Sequence, residues 1–270
     1  MGALRFCRSG AEELEVKVRR LENKIAIVTG GNSGIGRATA MLFCIEGAKV
    51  VIAGRRAAEN KKVVDAIATK GGEIMAAQAD VSKKEDCKRV VEETINGYGR
   101  IDVLVNNAGI ADRHLPINLC TEDWYDEVVK IDQYSVYYMS KYTLEHMEKV
   151  GQGSIVNVSS IGAQGIAGIS YSAAKAAVNG MTKNIALQYS PTGIRCNAVG
   201  PGPTPTPLNA PEAFQFFNKE FADMCAKHID LSVPEAQVED QAEAILYFAS
   251  DASRAVTDQI LYVDHGATLY

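Results

Sequence analysis

Tyr171 and Lys175 stand four residues apart in Tyr171-Ser172-Ala173-Ala174-Lys175. On a helix, positions i and i+4 share a face, so the phenol and the ammonium become neighbours. A nearby ammonium stabilises a phenolate and draws a tyrosine pKa down from about 10. A tyrosine tuned in this way can give or take a proton at an alcohol or carbonyl oxygen. The spacing alone also describes a surface pair, and it gains weight from what lies upstream. Ser159-Ser160 ends an apolar, strand-like run. Further upstream, Thr29-Gly30-Gly31-Asn32-Ser33-Gly34-Ile35-Gly36 follows the short apolar strand Lys24 to Val28.

A helical pattern, Arg37 to Glu46, comes next, with Ala38, Ala40, Met41, Leu42 and Ile45 on its buried side. Strand, glycine turn, helix is the context that a dinucleotide phosphate site requires. Glycines let the backbone turn tightly and approach a pyrophosphate, and the helix N-terminus offers unpaired N–H groups to its charge. The pattern here is Gly-x-x-x-Gly-x-Gly, not Gly-x-Gly-x-x-Gly. A glycine turn that merely joins strand to helix is the competing reading.

These residues need a scaffold, and the chain supplies one by alternation. Strand-like runs cover Lys49 to Gly54, Ile74 to Ala79, Ile101 to Asn106, Ser154 to Ser159, Arg195 to Val199 and Gln259 to Val263. With the first strand they make seven. Helical patterns fill the gaps, among them Lys83 to Tyr98, Ile131 to Lys149 and Tyr171 to Tyr189. Such alternation predicts an α/β fold, a doubly wound parallel sheet with helices on both faces. Four prolines within Pro201 to Pro207 cannot continue a helix or a central strand. The segment that follows, Pro211 to Asp230, reads as helical and as part of a lid around 203–232. Residues 1–22 precede the core as an extension. Ala11 to Leu21 reads as a short helix, with a disordered arm as the equal alternative.

Composition narrows the function classes. A chain of 270 residues with 47% apolar content can form one large domain, 23–270, with a proper core. A net charge of −5 gives no support for nucleic-acid binding. No apolar run approaches the roughly 18 residues of a membrane helix. The charged segment Met1 to Asn23 argues against a secretory signal, and Phe6 stands where a myristoylation signal needs Ser or Thr. The six cysteines are scattered without a Cys-x-x-Cys pair, which reads as reduced packing residues in a cytoplasmic protein. His114, His146 and His228 lack partners at ligand spacing, so no metal is expected.

The motifs, in order, resemble those of the short-chain dehydrogenase/reductase family. They are Thr29-Gly-x-x-x-Gly-Ile-Gly36, Asp80-Val81, Asn106-Asn107-Ala108-Gly109, Ser160, Tyr171-x-x-x-Lys175, Pro201-Gly202 and Val263-Asp264. The resemblance spans about residues 23–270. It implies a Rossmann-type fold and hydride transfer between a nicotinamide and a carbonyl or alcohol carbon, with a small-molecule substrate. Tyr171 would exchange the proton, Lys175 would lower its pKa and bind the nicotinamide ribose, and Ser160 would hold the substrate oxygen. Gly30, Asn32, Ser33, Gly34, Ile35 and Gly36 would meet the cofactor phosphates. Asp80 would contact the adenine, with Val81 beside it. Asn107, with Ala108 and Gly109, would lie beneath the ribose and support the central strand. Thr206, after Pro201 and Gly202, would approach the carboxamide. The family also implies a homo-oligomer, a dimer or tetramer.

The second strand ends Ala53-Gly54-Arg55-Arg56, where an acid would select NAD by pairing the ribose hydroxyls. A guanidinium can instead pair bidentately with a 2′-phosphate, so NADP(H) is the expected cofactor. A solvated arginine pair that tolerates NAD is the alternative. Two departures from the family touch the site. The loop from Gly162 to Ile169 reads as shortened, which leaves Ser159 as a second candidate beside Ser160. Asp132 stands where the family has asparagine, and either faces Lys175 or turns away to cap a backbone N–H. His265 replaces a glycine after Val-Asp and reads as a packing or subunit-contact residue.

The substrate must be read from the variable segments. Phe214, Phe217, Phe221 and Met224 fall on one helical stripe, which is either core or the wall of an apolar pocket. The pocket reading favours a bulky apolar alcohol or ketone such as a hydroxysteroid. A 3-oxoacyl-thioester reductase or a polyol dehydrogenase is the alternative enzyme. A non-catalytic NADP-sensing regulator would typically have lost Tyr171 or Lys175.

Overall fold

The computed structural model describes residues 19–110 and 113–269. The expected helix or arm over Ala11 to Leu21 lies almost wholly outside the described residues; Arg20 to Asn23 form a turn. That turn is packed, not loose. Leu21 is fully buried, and Arg20 reaches Glu46 and Glu243, each at 2.8 Å.

Seven strands form one parallel sheet: β1 (Ile25–Thr29), β2 (Lys49–Gly54), β3 (Ile74–Gln78), β4 (Val103–Asn106), β5 (Gly153–Val158), β6 (Ile194–Pro201) and β7 (Ile260–Val263). Their order across the sheet is β3-β2-β1-β4-β5-β6-β7. This is the Rossmann-type doubly wound order, and the chain reverses direction at β1 and β4. Registers such as Thr29 with Ala53, Val28 with Val105 and Asn106 with Asn157 align the strand ends. The turns after β1, β4, β5 and β6 therefore open at one edge of the sheet. In such sheets ligands bind outside the carboxyl ends of the strands, at the reversal.

Helices cover both faces. They are α1 (Gly34–Ile45), α2 (Ala57–Ala68), α3 (Lys84–Tyr98), α4 (Glu122–Val128), α5 (Ser135–Val150), α6 (Ile169–Tyr189), α7 (Pro211–Phe214), α8 (Lys219–Ala226) and α9 (Val238–Ala249). Alternate strand residues feed two cores. Val28, Val50, Ile52 and Val105 meet Phe43 of α1 and Ile245 and Leu246 of α9. Ile27, Val51, Leu104 and Ile155 meet Val90 of α3 and Met139 and Met147 of α5. Burial on both faces is why the strands read as continuous apolar runs rather than alternating ones.

Two elements depart from the sequence reading. The helix expected at Ile131 starts earlier, at Glu122, and contains a π turn over Val129–Tyr134 before α5. One extra residue in that turn changes which side chains face inward. The segment Pro211 to Asp230 is not one helix. It breaks between α7 and α8, where the Asn218 side chain accepts the Phe221 N–H at 2.9 Å and starts a new helix.

Cysteine chemistry is suppressed within the core. Burial pushes the Cys44 and Cys87 thiols up to about 12, and also raises Cys196. Among the described residues no helix is long and apolar enough to cross a membrane, and no group of His, Cys, Asp and Glu could hold a metal ion.

Candidate active site

A cavity of about 740 Å³ opens at the strand ends. At its floor lies the glycine turn. Gly30 has φ +64, and a Cβ there would come within 2.9 Å of the Asn107 amide nitrogen. Gly34 has φ +50, and a Cβ there would meet the Thr206 side chain at 3.3 Å. Only glycine suits such positions. Ser33 is the N-cap of α1 but makes no side-chain capping bond, so its neighbouring N–H groups remain for a ligand in the cavity that Asn32, Ser33, Gly34 and Ile35 line. A backbone cradle beneath an uncapped helix start fits a nucleotide pyrophosphate.

Gly36 has a different place from the one expected. It does not line the cavity; a Cβ on it would come within 2.4 Å of both the Gly30 oxygen and the Asn107 amide. Its role is to let α1 pack against β1 and β4. Gly36→Ala is therefore expected to destabilise the fold by about 1–3 kcal/mol, the range for overpacking, seen as a lowered Tm. An unchanged Tm would show that the turn yields freely.

The opposite rim carries Arg55 and Arg56, both exposed, with Asp80 and Val81 beside them. Asp80 Oδ1 accepts the Ser82 N–H and hydroxyl at 3.1 and 2.7 Å, which fixes the turn after β3. Between the rims, Asn107 donates from Nδ2 to the Thr29 carbonyl at 2.9 Å. The Thr29 hydroxyl oxygen accepts the N–H groups of Asn107 and Ala108 at 2.9 and 3.0 Å. These bonds tie the ends of β1 and β4 together. Ala108, Gly109, Pro201, Gly202 and Thr206 complete this part of the wall.

Tyr171 and Lys175, one turn apart on α6, both line the cavity. The Lys175 ammonium lies 5.4 Å from the Tyr171 ring centroid. Its Nζ donates to the Val158 carbonyl at 3.2 Å and lies 3.2 Å from Asp132 Oδ1. Burial works against this charge, and Tyr171 and Asp132 outweigh it, so the lysine pKa is held above its ordinary value. Asp132 is fully buried and faces the lysine; its Oδ2 also accepts the Ile110 N–H at 3.2 Å. Asp132 thus faces Lys175 rather than turning away, and its second carboxylate oxygen still binds a backbone N–H.

The serine pair separates by geometry. The Ser160 hydroxyl oxygen accepts the Gly162 N–H at 3.0 Å at the start of a 3₁₀ turn over Ile161–Gln164. Its own O–H is left to point at a ligand. Ser159 is buried and donates to the Lys175 carbonyl at 3.4 Å, so its hydroxyl braces α6.

The apolar wall is built from fewer of the aromatic residues than expected. Phe214 and Phe217 line the cavity with Leu208 and Ile229, whereas Phe221 and Met224 do not. The break before α8 dissolves the single stripe. Phe217 stacks on His114 with ring centroids 4.5 Å apart and meets Phe214 at 5.1 Å. His114 lines the cavity with a φ of +48, a place for which the sequence carries no signal. Arg113 sits over the Trp124 ring at 3.7 Å, and its carbonyl accepts the Asn218 N–H at 2.9 Å. His265 lies outside the cavity and is exposed.

Comparison with known proteins places this architecture. A family profile described as enoyl-(acyl carrier protein) reductase matches residues 30–268. A 7alpha-hydroxysteroid dehydrogenase of Clostridium sardiniense is 40% identical over 256 residues, covering 93% of this chain and 96% of the relative. A 3-oxoacyl-(acyl-carrier-protein) reductase of Thermotoga maritima is 38% identical over 253 residues, covering 93% and 100%. The crystal structure of levodione reductase superposes with a TM-score of 0.86 at 30% identity, covering 93% of this chain and 99% of that one. The family match and these relatives show that the chain belongs to the short-chain dehydrogenase/reductase family, whose members are nicotinamide-dependent oxidoreductases.

Proposed function

We propose that this protein is an NADP(H)-dependent oxidoreductase that interconverts a secondary alcohol and a ketone on a bulky apolar substrate such as a hydroxysteroid. The observation that carries the reaction is the convergence of Tyr171, Lys175 and Ser160 in one cavity. The bound nicotinamide would supply or accept the hydride. Gly30 to Ile35 would hold its phosphates, Arg55 and Arg56 the 2′-phosphate, and Lys175 the ribose. Asp80 and Val81 would flank the adenine, Asn107 to Gly109 the ribose, and Pro201, Gly202 and Thr206 the carboxamide.

Tyr171 gives its proton to the ketone oxygen in reduction and takes it back in oxidation. The Lys175 ammonium stabilises the phenolate left behind. Ser160, fixed by the Gly162 N–H, donates its hydroxyl hydrogen to the same substrate oxygen and holds it beside Tyr171. Leu208, Phe214, Phe217 and Ile229 exclude water from the reacting atoms.

The substrate reading rests on that apolar wall, which belongs to a lid around 203–232, and on the hydroxysteroid dehydrogenases among the relatives. Phe217→Ala is expected to raise KM for an oxo-steroid roughly tenfold, the equivalent of about 1.4 kcal/mol, with NADPH affinity intact. Loss of Tm with an unchanged KM would show that this ring is core. A 3-oxoacyl-thioester reductase is the second reading. The Thermotoga maritima relative and the exposed cation of Arg113 favour it. The exposed Leu261 on the edge strand β7, with Leu269 beyond it, supports assembly into a homo-oligomer. The packing role of Cys87 and Cys196 suits a cytoplasmic protein.

A further inference from the structure

We propose that Arg113 is a positioning residue: its guanidinium, laid on the Trp124 ring, pins a three-residue strut that fastens the lid to the helix carrying Tyr171. This rests on the reading of 203–232 as a lid over an apolar substrate. Arg113 is exposed and lies outside the cavity wall, so it acts on the substrate only through that lid.

The strut is Arg113-His114-Leu115, in the loop after β4, and each residue binds a different part of the site. The Arg113 carbonyl accepts the Asn218 N–H at 2.9 Å. The His114 ring stacks on Phe217 with centroids 4.5 Å apart and planes 29° apart. The Leu115 carbonyl accepts the Ile169 N–H at 3.1 Å, at the first residue of α6. Two consecutive strut residues thus meet two consecutive lid residues, and the third meets the catalytic helix. The lid contact falls at the break between α7 and α8. Asn218 caps α8 with its side chain, which accepts the Phe221 N–H, and gives its own N–H to the strut. One residue therefore both starts α8 and fastens it.

Such a strut needs an anchor. His114 has φ +48, a region costly for a residue with a side chain, which persists where the surroundings enforce it. The anchor is the neighbouring residue. The Arg113 guanidinium lies 3.7 Å from the Trp124 ring centroid and 5.9 Å from that of Phe216. Trp124 stands in the first turn of α4, where the Thr121 hydroxyl oxygen accepts its N–H at 3.3 Å. The platform is thus part of a capped helix. A guanidinium plane stacks on such a ring and is attracted by its π face. Phe216 belongs to the lid, so the same cation bridges platform and lid.

Amide hydrogen exchange in the ligand-free protein tests the strut without reference to a substrate. Arg113→Ala is expected to speed exchange of the Asn218 N–H roughly threefold, the scale of one exposed cation–π contact, with Arg113→Lys in between. Trp124→Leu should give the same increase, and the double variant no more than either alone. In turnover, KM for an oxo-steroid should rise by a similar factor while kcat and NADPH affinity hold. Unchanged Asn218 exchange in Arg113→Ala and Trp124→Leu overturns the proposal, and so do additive effects in the double variant. If Arg113→Ala does not fold, Arg113→Lys and Trp124→Leu carry the same comparison. Loss of turnover with a carrier-linked thioester at unchanged Asn218 exchange would assign Arg113 to docking and also overturn it. Absence of turnover with every apolar ketone would defeat the substrate reading alone, and Asn218 exchange would still decide the strut.

Discussion

Tyr171→Phe is expected to lose about 10²-fold or more in kcat, the usual contribution of a general acid–base group. The substitution removes one hydroxyl and keeps the ring. That ring packs against Gly162, where a Cβ would come within 3.2 Å of it, so the phenylalanine retains the wall of the cavity. Lys175 retains the Val158 carbonyl and Asp132 as partners. The glycine cradle and the arginine rim lie elsewhere in the cavity, so NADPH affinity should survive. Steady-state turnover together with a fluorescence titration of NADPH separates the two effects. Near-normal turnover would remove Tyr171 from proton transfer.

Arg55→Asp carries the second large effect, on cofactor choice. Arg55 is exposed at the end of β2, next to the cavity, and no acid stands in the strand end Gly54-Arg55-Arg56. A hydrogen bond to a charged group contributes about 1.5–3 kcal/mol, so one lost phosphate contact should lower kcat/KM for NADPH by roughly 10–100-fold. The new carboxylate would repel a 2′-phosphate and accept ribose hydroxyls, so NADH should lose far less or gain. Measuring kcat/KM for both cofactors checks this. A wild-type enzyme that already prefers NADH would contradict the assignment.

The sheet was legible because its strands are buried on both faces, which wrote runs such as Ile25 to Val28 and Val50 to Ile52 into the sequence. The glycine turn was legible because positive φ at Gly30 and Gly34 admits few other residues. Directions of side chains were not. Ser159 and Ser160 are equivalent as letters and both line the cavity; only their hydrogen bonds separate them, Ser160 accepting the Gly162 N–H at the start of the 3₁₀ turn and Ser159 donating to the Lys175 carbonyl of α6. Asp132 faces Lys175 because of a π turn, which has no composition signature comparable to glycine or proline. The aromatic stripe failed for a visible reason. Asn218 is a favourable N-cap, and its signal lay inside a pattern whose apolar spacing suggested one continuous helix. His114 was hidden because a left-handed histidine in a loop is set by the tertiary context.

The most direct test of the central claim is NADPH consumption by the wild-type protein across oxo-steroids, 3-oxoacyl thioesters and sugars. The account predicts that an oxo-steroid is reduced with the highest kcat/KM, since Phe214, Phe217, Leu208 and Ile229 present an apolar wall to the substrate. Preferred turnover of a thioester or a sugar, or no consumption with any ketone, would contradict it.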